Sequence, residues 1–279
     1  MDIWLAVRVA SLTGERLAYR LFGRRQASPW PVMGAAYTGA ALFLWAAAGA
    51  QGHWGVDWQA FWPSLAYAAA FGLYTSSLVT GQASQVSPWS NATAMMLFIL
   101  HPADWRGVSW LFMGLFGMGA WCQVQGRLSW PVLMMVASDM LLVVGRLGDV
   151  HAAMGNPWTY GASLMTFVAV WMGLAIAARG ELPAVFRVVA AYPLASAATG
   201  LLNAVSYVSV VVLLESWPAT LVEASSAVAA LAAAVIAPFL FQERATSRRI
   251  GGAVLMTLSA VLLLWDYHRT GLYSGWRFS

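Results

Sequence analysis

Between Ala227 and Phe241 the chain carries no charged side chain, and from Ile250 to Trp265 it again carries none. The polar stretch Gln242-Glu243-Arg244-Ala245-Thr246-Ser247-Arg248-Arg249 joins the two runs. A backbone surrounded by hydrocarbon must satisfy its own N–H and C=O groups, and only a helix does so within one segment. The stretch from Pro218 to Trp265 therefore reads as a transmembrane helical hairpin. Whatever else the chain does, it must accommodate that hairpin.

The rest of the sequence agrees with a membrane interior. Of 279 residues, 60% are hydrophobic and 9% charged, and the mean hydropathy is +0.66. A soluble domain carries about 25% charged residues, so this chain cannot clothe a water-facing surface. The formal charge of +4 comes from 15 arginines and no lysine. In a polytopic membrane protein such an excess decorates loops and sets orientation, and it does not imply nucleic acid. Arg8, Glu15, Arg16 and Arg20 interrupt the first apolar run, and no small-residue cleavage site follows, so a cleaved signal peptide is not expected.

Ten spans are expected, at roughly 3–22, 30–50, 60–81, 86–102, 107–123, 129–147, 157–178, 183–212, 218–241 and 250–266. Most of the 16 tryptophans fall near predicted ends, where an indole prefers the headgroup boundary. Trp45 and Trp171 lie deeper. The chain also repeats itself. Val9-Ala10-Ser11 returns as Val136-Ala137-Ser138, Arg20-Leu21 as Arg146-Leu147, and Ser28-Pro29-Trp30 as Asn156-Pro157-Trp158. Trp45 returns as Trp171 and Gly72-Leu73 as Gly200-Leu201, always at offsets of 126 to 128 residues. Later in the repeat, Arg106-Gly107 answers Arg249 with Gly251-Gly252. The expected organisation is two halves, 1–123 and 128–266, with a tail at 267–279. Five spans per half, an odd number, force the halves into opposite orientations. That is an inverted repeat with a site near the midplane.

Pro218, the small-residue run, Glu243 ending the ninth span and the glycines opening the tenth resemble the closing hairpin of the drug/metabolite transporter superfamily, EamA-like branch. In that family each half commonly ends with a proline before a helix, an acid after it and a glycine starting the next. The second half fits. The first keeps Pro88 and Gly107 but has His101-Pro102-Ala103-Asp104 in place of the acidic turn. The resemblance implies an all-α, ten-helix, 5+5 inverted-repeat carrier of small metabolites. The expected location is the bacterial cytoplasmic (inner) membrane.

Ionisable groups in hydrocarbon cost several kcal/mol and need a partner, water or a function. The candidates are Glu15 and Arg16 in the first span, Asp139 in the sixth and Glu223 in the ninth. Glu15 and Asp139 occupy near-equivalent places in the two repeats and are expected to face one cavity. Glu15 has an alternative role in pairing with Arg8 or Arg16, whereas the basic residue nearest Asp139 at helical spacing is Arg146, two turns away. Glu223 has an alternative role favouring a helix N-terminus. Carboxylates in an apolar cavity can exchange protons and, ionised, attract cations. Tyr74, Ser76 and Ser77 match Asn203, Ser206 and Tyr207 in the third and eighth spans, as substrate-orienting groups or as helix–helix hydrogen bonders. Trp45 and Trp171 would add an aromatic wall for an ammonium if they faced inward.

Other chemistry is not expected. Cys122 alone excludes an intramolecular disulfide and a cysteine metal cluster. His101 and Asp104 flank Pro102 without a third ligand, and His53, His151 and His268 fall in loops or the tail. No phosphate loop and no intramembrane nucleophile–histidine pair is evident. Neither a cofactor, a metal nor an enzymatic activity is expected.

The leading expectation is thus a secondary transporter or exporter of a small metabolite, leaning to cationic or amphipathic ones. It would work by alternating access, with proton coupling through Asp139 or Glu15, as a monomer or homodimer in the lipid bilayer. A second reading is a carrier or flippase for a lipid-linked intermediate, with Arg16, Arg20, Arg24 and Arg25 on a phosphate headgroup. A third is a non-transporting assembly protein, or an enzyme using Glu15 and His101. Odd-numbered loops hold nine arginines against five in the even loops and termini, which places both termini outside. The family resemblance implies both inside, and cysteine labelling at Gly52 and Ser279 decides between the two.

Overall fold

Proline sets where several helices begin. Pro29, Pro157 and Pro193 open long helices, since a first-turn residue has no intrahelical use for its N–H and proline's φ is already helical. Asn156 completes one such start, its side-chain oxygen accepting from the backbone N–H groups of Trp158 and Thr159 at 2.9 and 3.1 Å. The computed structural model describes residues 2–25, 27–102, 105, 107–124, 128–152 and 156–270. Its regular elements are all helical: α1 (Asp2–Arg24), α2 (Pro29–Ala50), α3 (Phe61–Thr80), α4 (Ala83–Val86), α5 (Ala92–Ile99) and α6 (Gly107–Gln123). They continue as α7 (Trp130–Ala152), α8 (Pro157–Ala178), α9 (Leu182–Ala191), α10 (Pro193–Leu214), α11 (Ala219–Phe241) and α12 (Ser247–Thr270). Single 3-10 turns occupy Trp58–Ala60 and Ser87–Asn91. Asp104, Arg106, Arg127 and the tail beyond Thr270 lie outside the described residues, as does the side chain of His151.

Among the described residues, α2, α7, α8, α10, α11 and α12 are long and apolar enough to cross a bilayer. The chain is an integral membrane protein. Charge keeps α1 off that list, tyrosines, serines and threonines lower the hydropathy of α3, and α6 has only 17 residues. Trp54, Trp58, Trp62, Trp110 and Trp130, all at or near helix starts, are 70–75% exposed, as interfacial indoles are.

Three expected spans differ in shape. The span placed at 86–102 is a broken segment, α4, a 3-10 turn and α5, because Pro88 offers no N–H and the Ser90 hydroxyl turns back to the Ser87 carbonyl at 2.8 Å. The span placed at 183–212 divides at Tyr192, whose φ of −135° and ψ of 58° leave the helix just before Pro193, as sterics before a proline favour. The sixth span, expected to stop at 147, runs on to Ala152 and carries Asp149 into the interior.

The helices pack in corresponding pairs. α1 lies against α10 and α11, while α7 lies against α3 and the α4–α5 segment. α2 packs on α8, each also touching the α3 or α10 of the other half, and α6 packs on α12. The α6–α12 crossing depends on two glycines. A Cβ on Gly252 would lie 2.8 Å from the Gly119 carbonyl oxygen, and one on Gly119 would lie 2.7 Å from the Gly252 oxygen. Such backbone approach is how helices gain contact where no hydrophobic effect drives them together. Gly252→Val is expected to destabilise the protein by about 1–3 kcal/mol through overpacking, read as a lowered unfolding midpoint in detergent. Gly251→Val, facing open space, is expected to change it little.

Candidate functional site

Two-thirds of the way along α3, Tyr74 faces a cavity of about 60 Å³ lined by α1, α3, α7, α8, α10, α11 and the Ser87–Asn91 turn. Residues of the first 123 positions supply Arg8, Glu15, Arg16, Tyr74 and Ser90, and residues beyond 128 supply Asp139, Arg146, Asn203, Ser206, Tyr207 and Glu223. Six of the eight side chains proposed from sequence, Glu15, Tyr74, Asp139, Asn203, Tyr207 and Glu223, therefore line one space. Trp45 and Trp171 do not. Their indole N–H groups donate to Thr166 Oγ1 at 2.8 Å and Ser64 Oγ at 3.1 Å, in contacts between helices away from the carboxylates. The rings beside a charge are instead Tyr67 and Tyr207, whose centroids lie 5.4 and 5.9 Å from the Arg146 guanidinium carbon.

The charges are arranged unequally. Glu223 joins two guanidiniums, accepting from Arg8 Nη2 at 3.2 Å and from Arg146 Nε. Arg8 also donates to Ser225 Oγ at 3.2 Å. Asp149 is caged: Arg146 Nη1 donates to it at 3.0 Å, Tyr160 at 2.8 Å and Tyr207 at 3.0 Å, with the Tyr67 hydroxyl as a further donor. Neither Glu15 nor Asp139 forms an ion pair within 4 Å among the described residues, although Arg16 is the nearest charged neighbour of Glu15. Glu15 Oε2 faces Ser206 Oγ at 3.1 Å, and that same hydroxyl lies 3.0 Å from the Asn203 carbonyl, one proton between two acceptors. Asp139 is wholly buried and accepts from Thr93 Oγ1 at 3.0 Å through one oxygen, while its Oδ2 has no partner. Arg16 donates to Ser90 Oγ at 2.7 Å and to the Ser226 carbonyl at 3.4 Å, and its Nε is buried without a partner. The buried Tyr74 hydroxyl makes no hydrogen bond within 3.5 Å, although Glu15 and Arg16 are its polar neighbours. Buried polar atoms are seldom left so. Three of them around one cavity form a surface with both donor and acceptor capacity to spare.

Each end of α3 is tied to a cluster built on a carboxylate, directly at one end and through Arg20 at the other. Near its start, Tyr67 meets the Asp149 cage; near its end, the Val79 carbonyl meets Arg20 Nη1 at 3.5 Å. Those residues are about 18 Å apart along a helix, with Tyr74 between. Arg20 also donates to Glu243 Oε1 at 2.7 Å. Glu243 accepts the Ala83 and Ser84 backbone N–H groups at 3.0 and 2.9 Å and the Ser84 hydroxyl at 2.7 Å, so one acid clasps α1 and the start of α4 to the end of α11. Glu243→Gln is expected to cost about 1.5–3 kcal/mol, the worth of charge-assisted hydrogen bonds, measurable by denaturant unfolding.

Three members of the site escape a reading of sequence. Asp149 falls past the predicted end of its span, although its i,i+3 spacing from Arg146 is a usable signal. Tyr67 and Tyr160 carry none, since a tyrosine in a span is as often packing. Ser77 satisfies itself on the Tyr74 carbonyl at 2.7 Å and is not among the residues lining the cavity. Of the four arginines considered for a phosphate headgroup, Arg16 lines the cavity and Arg20 pairs with Glu243. No group of three or more His, Cys, Asp or Glu among the described residues is placed to hold a metal ion.

No family model matches the chain, and no curated protein matches it. A solved structure described as "Crystal structure of protein" is similar with a TM-score of 0.68, covering 95% of this chain and 99% of its own at 13% identity. At that identity the likeness is one of fold, and function must be argued from the site.

Proposed function

We propose that the chain is a secondary carrier of the drug/metabolite transporter superfamily, EamA-like branch, exporting a small metabolite across a bacterial cytoplasmic membrane. It crosses ten times, as two five-helix halves inserted in opposite orientations. The constant sequence offset supports that duplication, and so does part of the packing, in which exchanging α1 for α7, α2 for α8 and α3 for α10 maps the α1–α10 contact onto α7–α3 and the α2–α10 contact onto α8–α3.

The observation that carries the reading is a buried cavity, charged and incompletely satisfied, to which both halves contribute. A packed structural core would have no use for it, because each unpartnered group costs stability. The cluster sets three guanidiniums, Arg8, Arg16 and Arg146, against four carboxylates, Glu15, Asp139, Asp149 and Glu223. One negative charge is left over. It falls to Asp139 or Glu15, neither of which forms an ion pair within 4 Å, and is met by a proton or by the positive group of a substrate. That is the basis for a cationic substrate and for proton coupling. Small-molecule pockets usually measure roughly 300–1,000 Å³, so a cavity of about 60 Å³ belongs to a closed state. Opening at one end requires the Glu243 clasp to part, and at the other the Asp149 cage. These are the two gates of alternating access.

The test is uptake into proteoliposomes under an imposed pH gradient, across quaternary amines, amino acids, nucleosides and sugars. Gradient-dependent accumulation of an organic cation is the expected result. A protein that moves nothing from such a panel, and whose cavity excludes cysteine reagents placed at Tyr74 from both sides, is not a carrier.

A further inference from the structure

The helix α9 packs on α2, α8 and α10, and none of its residues is buried. Leu182, Phe186 and Val189, on one face by their spacing, are 44, 75 and 41% exposed, and Leu194 beyond them is 85% exposed. A short helix with such a face, following a membrane-crossing helix, lies in the interface plane with that face in the acyl region. Between α9 and the α1–α2 junction is a cleft of about 310 Å³, lined by Arg25, Ser28, Pro31, Arg187, Val188 and Tyr192 together with small alanines. Both arginines are solvent-exposed, and neither has a carboxylate partner among the described residues. Arg25 is 5.8 Å from the centre of the Tyr192 ring. The acid at this corner, Glu181, is already engaged by Arg179 at 3.0 Å and Ser28 at 3.4 Å.

We propose that this cleft binds the phosphate headgroup of an anionic glycerophospholipid from the surrounding leaflet. Two unneutralised guanidiniums present the planar fork that matches phosphate oxygens. The exposed apolar residues beside them continue into hydrocarbon, where the acyl chains of the same molecule lie. A free phosphate would use the arginines and leave that apolar face unexplained. The site is separate from the central cavity, to which neither arginine contributes, and stands whether or not the chain is a carrier.

Native mass spectrometry of delipidated protein titrated with phosphatidylglycerol or phosphatidylcholine of identical chains tests this. Phosphatidylglycerol is expected to remain bound to the native chain. Retention is expected to fall at least roughly tenfold in the Arg25→Gln/Arg187→Gln double variant, as for lost charge-assisted pairs, and to be unchanged in Arg244→Gln, an exposed arginine outside the cleft. Gel filtration confirms the folded state, and either single variant substitutes if the double does not fold. Equal retention of both lipids, equal loss in Arg244→Gln, or displacement of the lipid by millimolar inorganic phosphate overturns the proposal.

Discussion

Asp139→Asn will fold, will be as stable as the native protein or more so, and will lose gradient-driven transport by at least roughly 100-fold. The two halves of that expectation have one cause. The Asp139 side chain is wholly buried, keeps one hydrogen bond to Thr93, and leaves Oδ2 without a partner. A buried unsatisfied group costs about 1–3 kcal/mol and more when charged, so removing the charge relieves the fold while Asn can still accept from Thr93. Transport depends on the same charge, because a partnerless carboxylate in a cavity is where a proton or a cationic group docks. Thermal unfolding in detergent and uptake at matched protein content measure the two effects side by side. Lowered stability with intact transport would make Asp139 a structural residue and remove the basis for proton coupling there.

Glu223→Gln is expected to have the opposite profile, with a stability loss of about 3–5 kcal/mol. Glu223 is the shared partner of Arg8 and Arg146, all three buried. Its neutralisation strands Arg8, which keeps only a neutral hydrogen bond to the Ser225 hydroxyl among the described residues, and uncompensated buried charges are what make broken interior ion pairs costly. Removing the stranded cation as well, in Arg8→Met/Glu223→Gln, is expected to restore at least about 1 kcal/mol, because an apolar pair of similar volume is tolerated where a lone charge is not. Denaturant titration of the two single variants and the double completes the cycle. Strict additivity would mean that Arg8 and Glu223 do not interact in the folded protein, and the charge arrangement described above would fail with it.

Much of the site was legible because hydrocarbon makes polarity conspicuous. Glu15, Asp139 and Glu223 stand out in apolar spans, and the repeat offset placed Tyr74 opposite Asn203 and Tyr207. Trp45 and Trp171 were not placed so well. Depth along a span is readable from sequence, but the face a residue presents is set by neighbouring helices, and here those helices turn both indoles onto hydroxyl partners. The break at Ser87–Asn91 was likewise half visible, as Pro88. What turns it into a site element is Arg16 reaching Ser90 across 74 positions of chain.

From composition and charge-free runs alone, the chain had to be a helical membrane protein, since unbroken apolar runs of this length lack the alternation of a barrel strand and only a helix satisfies its own polar backbone within one segment. Only the tertiary structure decided which acid is paired and which is left alone. Glu223 and Asp149 meet arginines from other turns and other helices, and Asp139 does not. Hydropathy depends on which residues are present. Pairing depends on distances of a few ångströms between segments far apart in the chain, and no local pattern encodes those.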